Sequence, residues 1–214
     1  MLSGLTRRAG VGQAREICRR SRAMPDAEST DARAEFARLY PPLAPALHAW
    51  ACLRLGGGES SKLSPEDLTQ EIWLRAYQSF STFDAQKGSF RGWLFAVGKN
   101  VLLEARRRLR RSGKEQAAQG SSTRMLQLDE MAIDMTSVTH RVVKDEQVQQ
   151  FVARIAQLEE VERMTVLHCG LEELSVGDAS MRLGESYDAT AKRWQRLRER
   201  IRGWGEPLGM FSGS

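Results

Sequence analysis

The chain has 214 residues, room for one ordinary domain or two small ones, and its 41% hydrophobic and 28% charged residues suit a folded protein. Its net charge of +5 is less informative than its distribution, because arginines crowd into residues 7–22, 106–111 and 193–202. Such clusters favour a polyanion, nucleic acid or an anionic membrane, over a merely solvated basic face. No apolar run reaches the roughly twenty residues that cross a bilayer, so membrane insertion is not expected. The N-terminal arginines lack the apolar segment of a secretory signal, and the three cysteines, Cys18, Cys52 and Cys169, draw no disulfide framework. A soluble, cytoplasmic protein with buried or idle thiols is expected.

Residues 1–30 mix Arg, Gly, Ser and Ala without a period and read as a mobile tail, with Met24 a second candidate start. From Asp31 a helical pattern carries Phe36, Leu39 and Tyr40; Pro41 and Pro42 interrupt it. A second apolar helix follows through Leu43, Leu47, Trp50, Leu53 and Leu55, and Gly56 to Lys62 reads as a loop. Ser64-Pro65-Glu66-Asp67 then gives a helix start: a capping hydroxyl, a proline at the first position and two acids at the positive end of the dipole. Leu68, Ile72 and Ala76 share its buried stripe. Asp67, Gln70, Glu71 and Arg75 share an outer one, for which ordinary solvent exposure is a sufficient account.

The helix fades at Ser79 into a loop holding Phe80, Phe83 and Phe90 among polar residues. Its aromatics suit either stacking on unpaired bases, at about 1–3 kcal/mol per base, or pinning the loop to the core. The longest helix follows, with Phe90, Trp93, Leu94, Val97, Val101 and Leu102 at helical spacing. It ends in Arg106, Arg107, Arg108, Arg110 and Arg111. Basic residues complement a helix C-terminus, but five in six positions exceed that need and suit phosphates. Residues 112–144 carry no sustained period and read as a flexible linker with a short helix around Met125 to Ile133. A linker this long argues for two small helical domains, over 31–111 and 145–204, with 205–214 a tail.

Folding is expected to resume near Lys144. Val148, Phe151, Val152, Ile155 and Leu158 mark one helix, Glu160 to His168 a second, ended by Gly170. Two more helices surround Gly184-Glu185-Ser186, with Ser175 and Ser186 as caps and Thr190, Trp194, Leu197 and Ile201 as the buried stripe of the longer. Two short helices around a glycine turn, the second basic, form the helix-turn-helix pattern. No strand pattern appears, so the fold is expected to be all-α.

These residues resemble a bacterial RNA polymerase sigma factor of the sigma-70 family, extracytoplasmic-function group, over about residues 35–203. Asp67-Leu68-Thr69-Gln70-Glu71, continuing IWLRAY, is similar to the polymerase-core-binding helix of region two. Gly88-Ser89-Phe90-Arg91-Gly92-Trp93-Leu94-Phe95, continuing to Asn100 and the arginines, is similar to the segment that melts and reads the minus-ten promoter element. Leu158 to Val166, with the two-helix unit after it, resembles region four, which binds the minus-thirty-five element. The resemblance implies that Asp67, Gln70, Glu71 and Arg75 dock on a coiled coil of the polymerase largest subunit. It implies that Phe83, Lys87, Arg91, Asn100, Arg106, Arg107, Arg108, Arg110 and Arg111 contact minus-ten DNA. Tyr187, Ala191, Lys192, Arg193, Gln195, Arg196 and Arg198 would contact the minus-thirty-five element. The loop from Phe80 to Arg91 would take a flipped base, while Trp93 is expected to pack the core.

The chain departs from the family at Ala179-Ser180, at Glu185 after the turn glycine, and at Ala189-Thr190. Glu185 must face solvent there or the turn must shift. No nucleophile–base set, phosphate loop or metal cluster can be assembled, so neither catalytic residues nor a cofactor are expected. His48 and Cys52 lack the following C-x2-C of a zinc site. Core polymerase and promoter DNA are the implied partners, with an anti-sigma factor a further candidate. A stand-alone helix-turn-helix regulator and a core-binding module without promoter reading are the alternatives.

Overall fold

The computed structural model describes residues 26–59, 63–112 and 130–204, and every regular element among them is helical. The described residues from Phe36 onward form one compact unit, and those before it belong to another. Helix α1 (Asp26–Leu39) begins five residues before the expected Asp31. The diproline then forms a 3-10 turn, Pro41–Leu43. Helix α2 (Ala44–Glu59) is broken at Gly56, whose φ of 54° is one that glycine adopts without a Cβ penalty.

Helix α3 (Pro65–Gln78) starts as its sequence dictates. Pro65 sits in the first turn, and the Ser64 hydroxyl accepts from the Asp67 amide at 3.0 Å. It buries Leu68, Ile72 and Ala76, and also Thr69 and Trp73. A 3-10 turn, Phe80–Thr82, leads towards α4 (Phe90–Ser112), at 23 residues the longest helix. Gly98 sits where α4 approaches α2 and α3: a Cβ there would lie 3.4 Å from Ile72 and 3.5 Å from Trp50. Those are ordinary van der Waals distances, so a methyl group would just fill the space between the three helices.

The linker expected over 112–144 is helical in its second half, as α5 (Glu130–Val143). Met125 to Asp129 of the short helix expected there lie outside the described residues, and α5 packs against α2 and α3, with Thr139 and Val142 buried. The rest of that stretch, the N-terminal tail to residue 25 and the tail after 204 lie outside the described residues. Helix α6 (Glu146–Ala156), capped by Asp145, buries Val148, Phe151 and Ile155 against α2. Helix α7 (Glu160–Thr165) runs into a π-helical turn, Val166–Leu171, where a single continuous helix was expected. Helices α8 (Val176–Leu183) and α9 (Tyr187–Arg202) complete the chain, capped by Ser175 and Ser186 as their sequence predicts. The core therefore centres on α2, whose Leu47 and Trp50 are fully buried among α3, α5, α6 and the π turn.

Candidate nucleic-acid interface

On α3 the 3.6-residue period sends Asp67, Gln70, Glu71 and Arg75 outward, opposite the buried stripe. Asp67 is exposed. Arg75 lies 3.4 Å from both Glu71 and Glu104, tying α3 to α4 through a half-exposed pair of contacts of little stabilising value. The row is thus a continuous outward face carrying both charge signs.

The loop after α3 resolves the two roles proposed for its aromatics. Phe80 and Phe90 are buried, and with Phe36 they form an edge-to-face cluster with centroids 5.4–5.9 Å apart. Such packing adds about 0.5–1.5 kcal/mol per pair beyond burial. Phe83 is half-buried, 5.8 Å from Phe80 and 5.7 Å from Trp93, which is itself half-buried on Phe90. Phe80 and Phe90 pin the loop, and the rims of Phe83 and Trp93 remain for a stacking partner. Lys87 projects from the turn, 2.9 Å from Asp84. The Lys87 hydrogen bond and the Gln86 amide hold the Asp84 carboxyl below its ordinary range.

Helix α4 divides the residues assigned to minus-ten DNA between two sides. Asn100 follows Arg91 by about two and a half turns and so faces away from it. Asn100 and Arg107, with Arg75, Ser79, Val97, Val101, Leu103 and Glu104, line an open groove between α3 and α4. Leu103, half exposed, is an apolar floor beside these polar groups. Arg107 is exposed at its edge, and Arg108, Arg110 and Arg111 are exposed beyond it. Arg91 is on the other side and only 4% exposed, donating to the carbonyls of Leu171 at 3.0 Å and Gly170 at 3.4 Å. Arg106 is half-buried and donates to the Arg54 carbonyl at 2.9 Å.

The C-terminal pair, α8 and α9, turns at Gly184, whose φ of 68° gives the left-handed conformation of a helix C-terminus. Glu185 neither faces solvent alone nor shifts the turn. The Arg193 guanidinium grips it bidentately, with contacts of 2.5 and 3.0 Å, and that hydrogen bond holds the Glu185 carboxyl below its ordinary range. Arg193 thereby ties the turn to α9. Arg198 lies over the Trp194 ring at 5.9 Å. Tyr187, Lys192, Gln195 and Arg196 are exposed, while Ala191 is half-buried. Thr190, Leu197 and Ile201 are buried as expected, and Trp194 is half-buried at the edge of the same stripe.

One polar cluster had no signal in the residue pattern. The Glu172 side chain is fully buried and accepts from Trp50 Nε1 at 2.8 Å, from Arg54, and from Lys99 at 3.3 Å. His168 lies 3.1 Å from it and Arg182 3.7 Å. Burial pushes the Glu172 carboxyl up, but the His168 hydrogen bond and the Arg54 charge, with the Arg54 and Trp50 hydrogen bonds, outweigh it and hold the group well below the carboxylate range. Among the described residues no His, Cys, Asp and Glu group could hold a metal ion, and no helix is long and apolar enough to cross a membrane. Burial raises the Cys52 and Cys169 thiols to about 11, so neither has thiolate character near neutral pH.

Residues 39–112 match the family Sigma-70 region 2. The chain is also 33% identical over 69 residues to the ECF RNA polymerase sigma factor BldN of Streptomyces coelicolor (strain ATCC BAA-471 / A3(2) / M145). That match covers 32% of this chain and 25% of the relative, so it spans about a quarter of the curated protein. Helices α2, α3 and α4 all lie within the region-two match.

Proposed function

We propose that this chain, similar over residues 39–112 to region two of the sigma-70 family, is a sigma factor of the extracytoplasmic-function group. It binds core RNA polymerase and directs it to specific promoters. The observation that carries this reading is that α3 and α4, inside the matched stretch, pack as one helical pair and present two adjoining outward surfaces that meet at Arg75. One is the mixed row Asp67, Gln70, Glu71 and Arg75, suited to charge-assisted pairing with arginines of a polymerase coiled coil. The other is the Asn100–Arg107 groove continuing into Arg108, Arg110 and Arg111. There an amide offers a base edge both a donor and an acceptor, and the guanidinium groups hold phosphates. The rims of Phe83 and Trp93 add stacking surface, with Lys87 beside them.

In this reading residues 31–111 are the region-two body and residues 145–204 the region-four body, joined through the stretch that contains α5. Helix α9 reads the minus-thirty-five element through Tyr187, Lys192, Gln195 and Arg196, with Ala191 lying close to the DNA. Arg193 acts chiefly by fixing the turn through Glu185. The protein performs no catalysis of its own, because polymerase supplies the chemistry; its place of action is the cytoplasm, where an anti-sigma factor is a fitting regulator. Purified chain with core polymerase is expected to start transcription at specific promoters in a genome-wide run-off screen. Absence of any promoter-specific start would refute the reading, and core binding without one would leave the core-binding module in its place.

A further inference from the structure

Helix α9 carries an outward acid that stands among the residues assigned to the minus-thirty-five element and is not one of them. Asp188 lies in its first turn and is exposed. At 3.6 residues per turn it shares a stripe with Ala191, Lys192 and Gln195, opposite the buried Thr190, Leu197 and Ile201. It is the only acid in the first two turns of the helix. Acids at a helix start commonly cap it or pair with a nearby cation, and here both tasks are taken by other groups. The Ser186 hydroxyl accepts from the Ala189 amide at 3.3 Å, and the Arg193 guanidinium is gripped by Glu185. Among the described residues Asp188 makes no ion pair and no side-chain hydrogen bond. Apart from the modest dipole effect of any acid in a first turn, its carboxylate is spare in the folded chain.

An acid on a DNA-reading face opposes binding unless a base receives it. Phosphates repel it, and its two oxygens can only accept. In the major groove guanine N7 and O6 and thymine O4 are acceptors too, so a carboxylate gains nothing from them. The donors there are cytosine N4 and adenine N6. Adenine sets its N7 acceptor beside N6, facing a carboxylate with a second negative atom, whereas cytosine N4 has no acceptor at its side in the groove. We propose that Asp188 is a specificity-determining residue of α9, whose carboxylate accepts from N4 of one cytosine in the upstream promoter element. Lys192 and Gln195 on the same stripe supply attraction, and Asp188 discriminates by penalising every other base at its position. The inference deepens the sigma-factor reading and rests on it, because it takes α9 as the helix that reads duplex promoter DNA.

The test takes the full chain with core polymerase on a barcoded library of promoters randomised through the upstream element, read as run-off transcripts. Wild type is expected to favour cytosine at one position by about fivefold or more, the factor that one good base contact supplies. Asp188→Asn sets a donor beside an acceptor, which matches adenine N6 and N7. The preference at that position should then move from cytosine to adenine, while every other position keeps its own. Asp188→Ala should lose discrimination at that position alone. Selection of random duplexes by the chain without polymerase should show the same shifts, and far-UV circular dichroism checks that each variant is folded. An unchanged base preference in either folded variant overturns the inference. So does a loss spread evenly over all sequences, which would mark a phosphate or helix-dipole role. Weaker core affinity with the same base preference would give Asp188 to a protein contact and overturn it too. If wild type gives no promoter-specific start, the sigma-factor reading fails, and the duplex selection decides on Asp188 by itself; a chain that selects no sequence overturns both.

Discussion

Asp67 and Glu172 are both acidic residues near the start or end of a helix, and their surroundings give them opposite roles. Asp67 is exposed and its side chain supports nothing internal, so Asp67→Arg should leave the fold intact and reverse the charge presented to a basic partner. Core-polymerase affinity measured by fluorescence anisotropy is expected to fall at least tenfold, about 1.4 kcal/mol, with an unchanged melting temperature; unchanged affinity would remove Asp67 from the docking face. Glu172, by contrast, is held ionised by the His168 hydrogen bond, the Arg54 charge and the Arg54 and Trp50 hydrogen bonds although buried. Because its folded-state pKa lies below the ordinary 4.5, its contribution to stability is full above that value and is lost as pH falls below it, where the folded chain must take up a proton against its partners. Breaking a fully buried ion pair costs about 3–5 kcal/mol, an upper bound here because Arg54 and Lys99 are part-exposed. Glu172→Gln is therefore expected to lower the melting temperature clearly at pH 7. The gap to wild type should narrow as pH drops below 4.5, and a gap independent of pH would show that the carboxylate charge is not what stabilises the cluster.

Among the elements, α4 shows how far sequence can be read and where reading stops. Its length, apolar spacing and arginine-rich end were legible, because amphipathic period and terminal charge are local properties. So were the Ser64, Ser175 and Ser186 caps, each written in the few residues that make it. The period gives the relative sides of α4, but which side the rest of the chain covers was not legible. Arg91 and Arg106 turn inward only because Gly170, Leu171 and the Arg54 carbonyl lie opposite, and those neighbours are distant in the chain. The π turn at Val166–Leu171 was hidden for the same reason: its apolar residues fit an ordinary helix, and only packing against α2 reveals the wider turn. Helix α5 was expected only as far as Ile133, because its Met- and Thr-rich sequence resembles a linker until Thr139 and Val142 meet a partner. The sidedness of α4 has a measurable consequence. Replacing Arg107, Arg108, Arg110 and Arg111 by glutamine should weaken DNA binding and lower the log–log salt slope by up to about four, near one for each lost phosphate contact. An unchanged slope would place the DNA elsewhere.

At the scale of the whole molecule, the question is whether the described chain from Phe36 onward behaves as one body or as two. Helix α2 packs against elements from both ends of that stretch: α3 before the residues 113–129, and α5, α6 and the π turn after them. Trp50 is the meeting point, edge-on to Phe95 at 5.9 Å and bonded through its indole nitrogen to Glu172. Two bodies joined only by a loose connection would unfold separately, since neither would lose contacts when the other melts. Here loss of α6 or the π turn strips apolar cover from α2, at about 25 cal/mol for each Å² exposed, and leaves Arg54 and Lys99 without Glu172. The chain alone should therefore unfold in a single transition, with helix signal and tryptophan fluorescence coincident in urea and equal calorimetric and van't Hoff enthalpies. Glu172→Gln, by loosening the joint, should separate the two signals. Two well-resolved transitions in the wild type would show that the bodies are already independent and that the contacts around α2 carry little coupling.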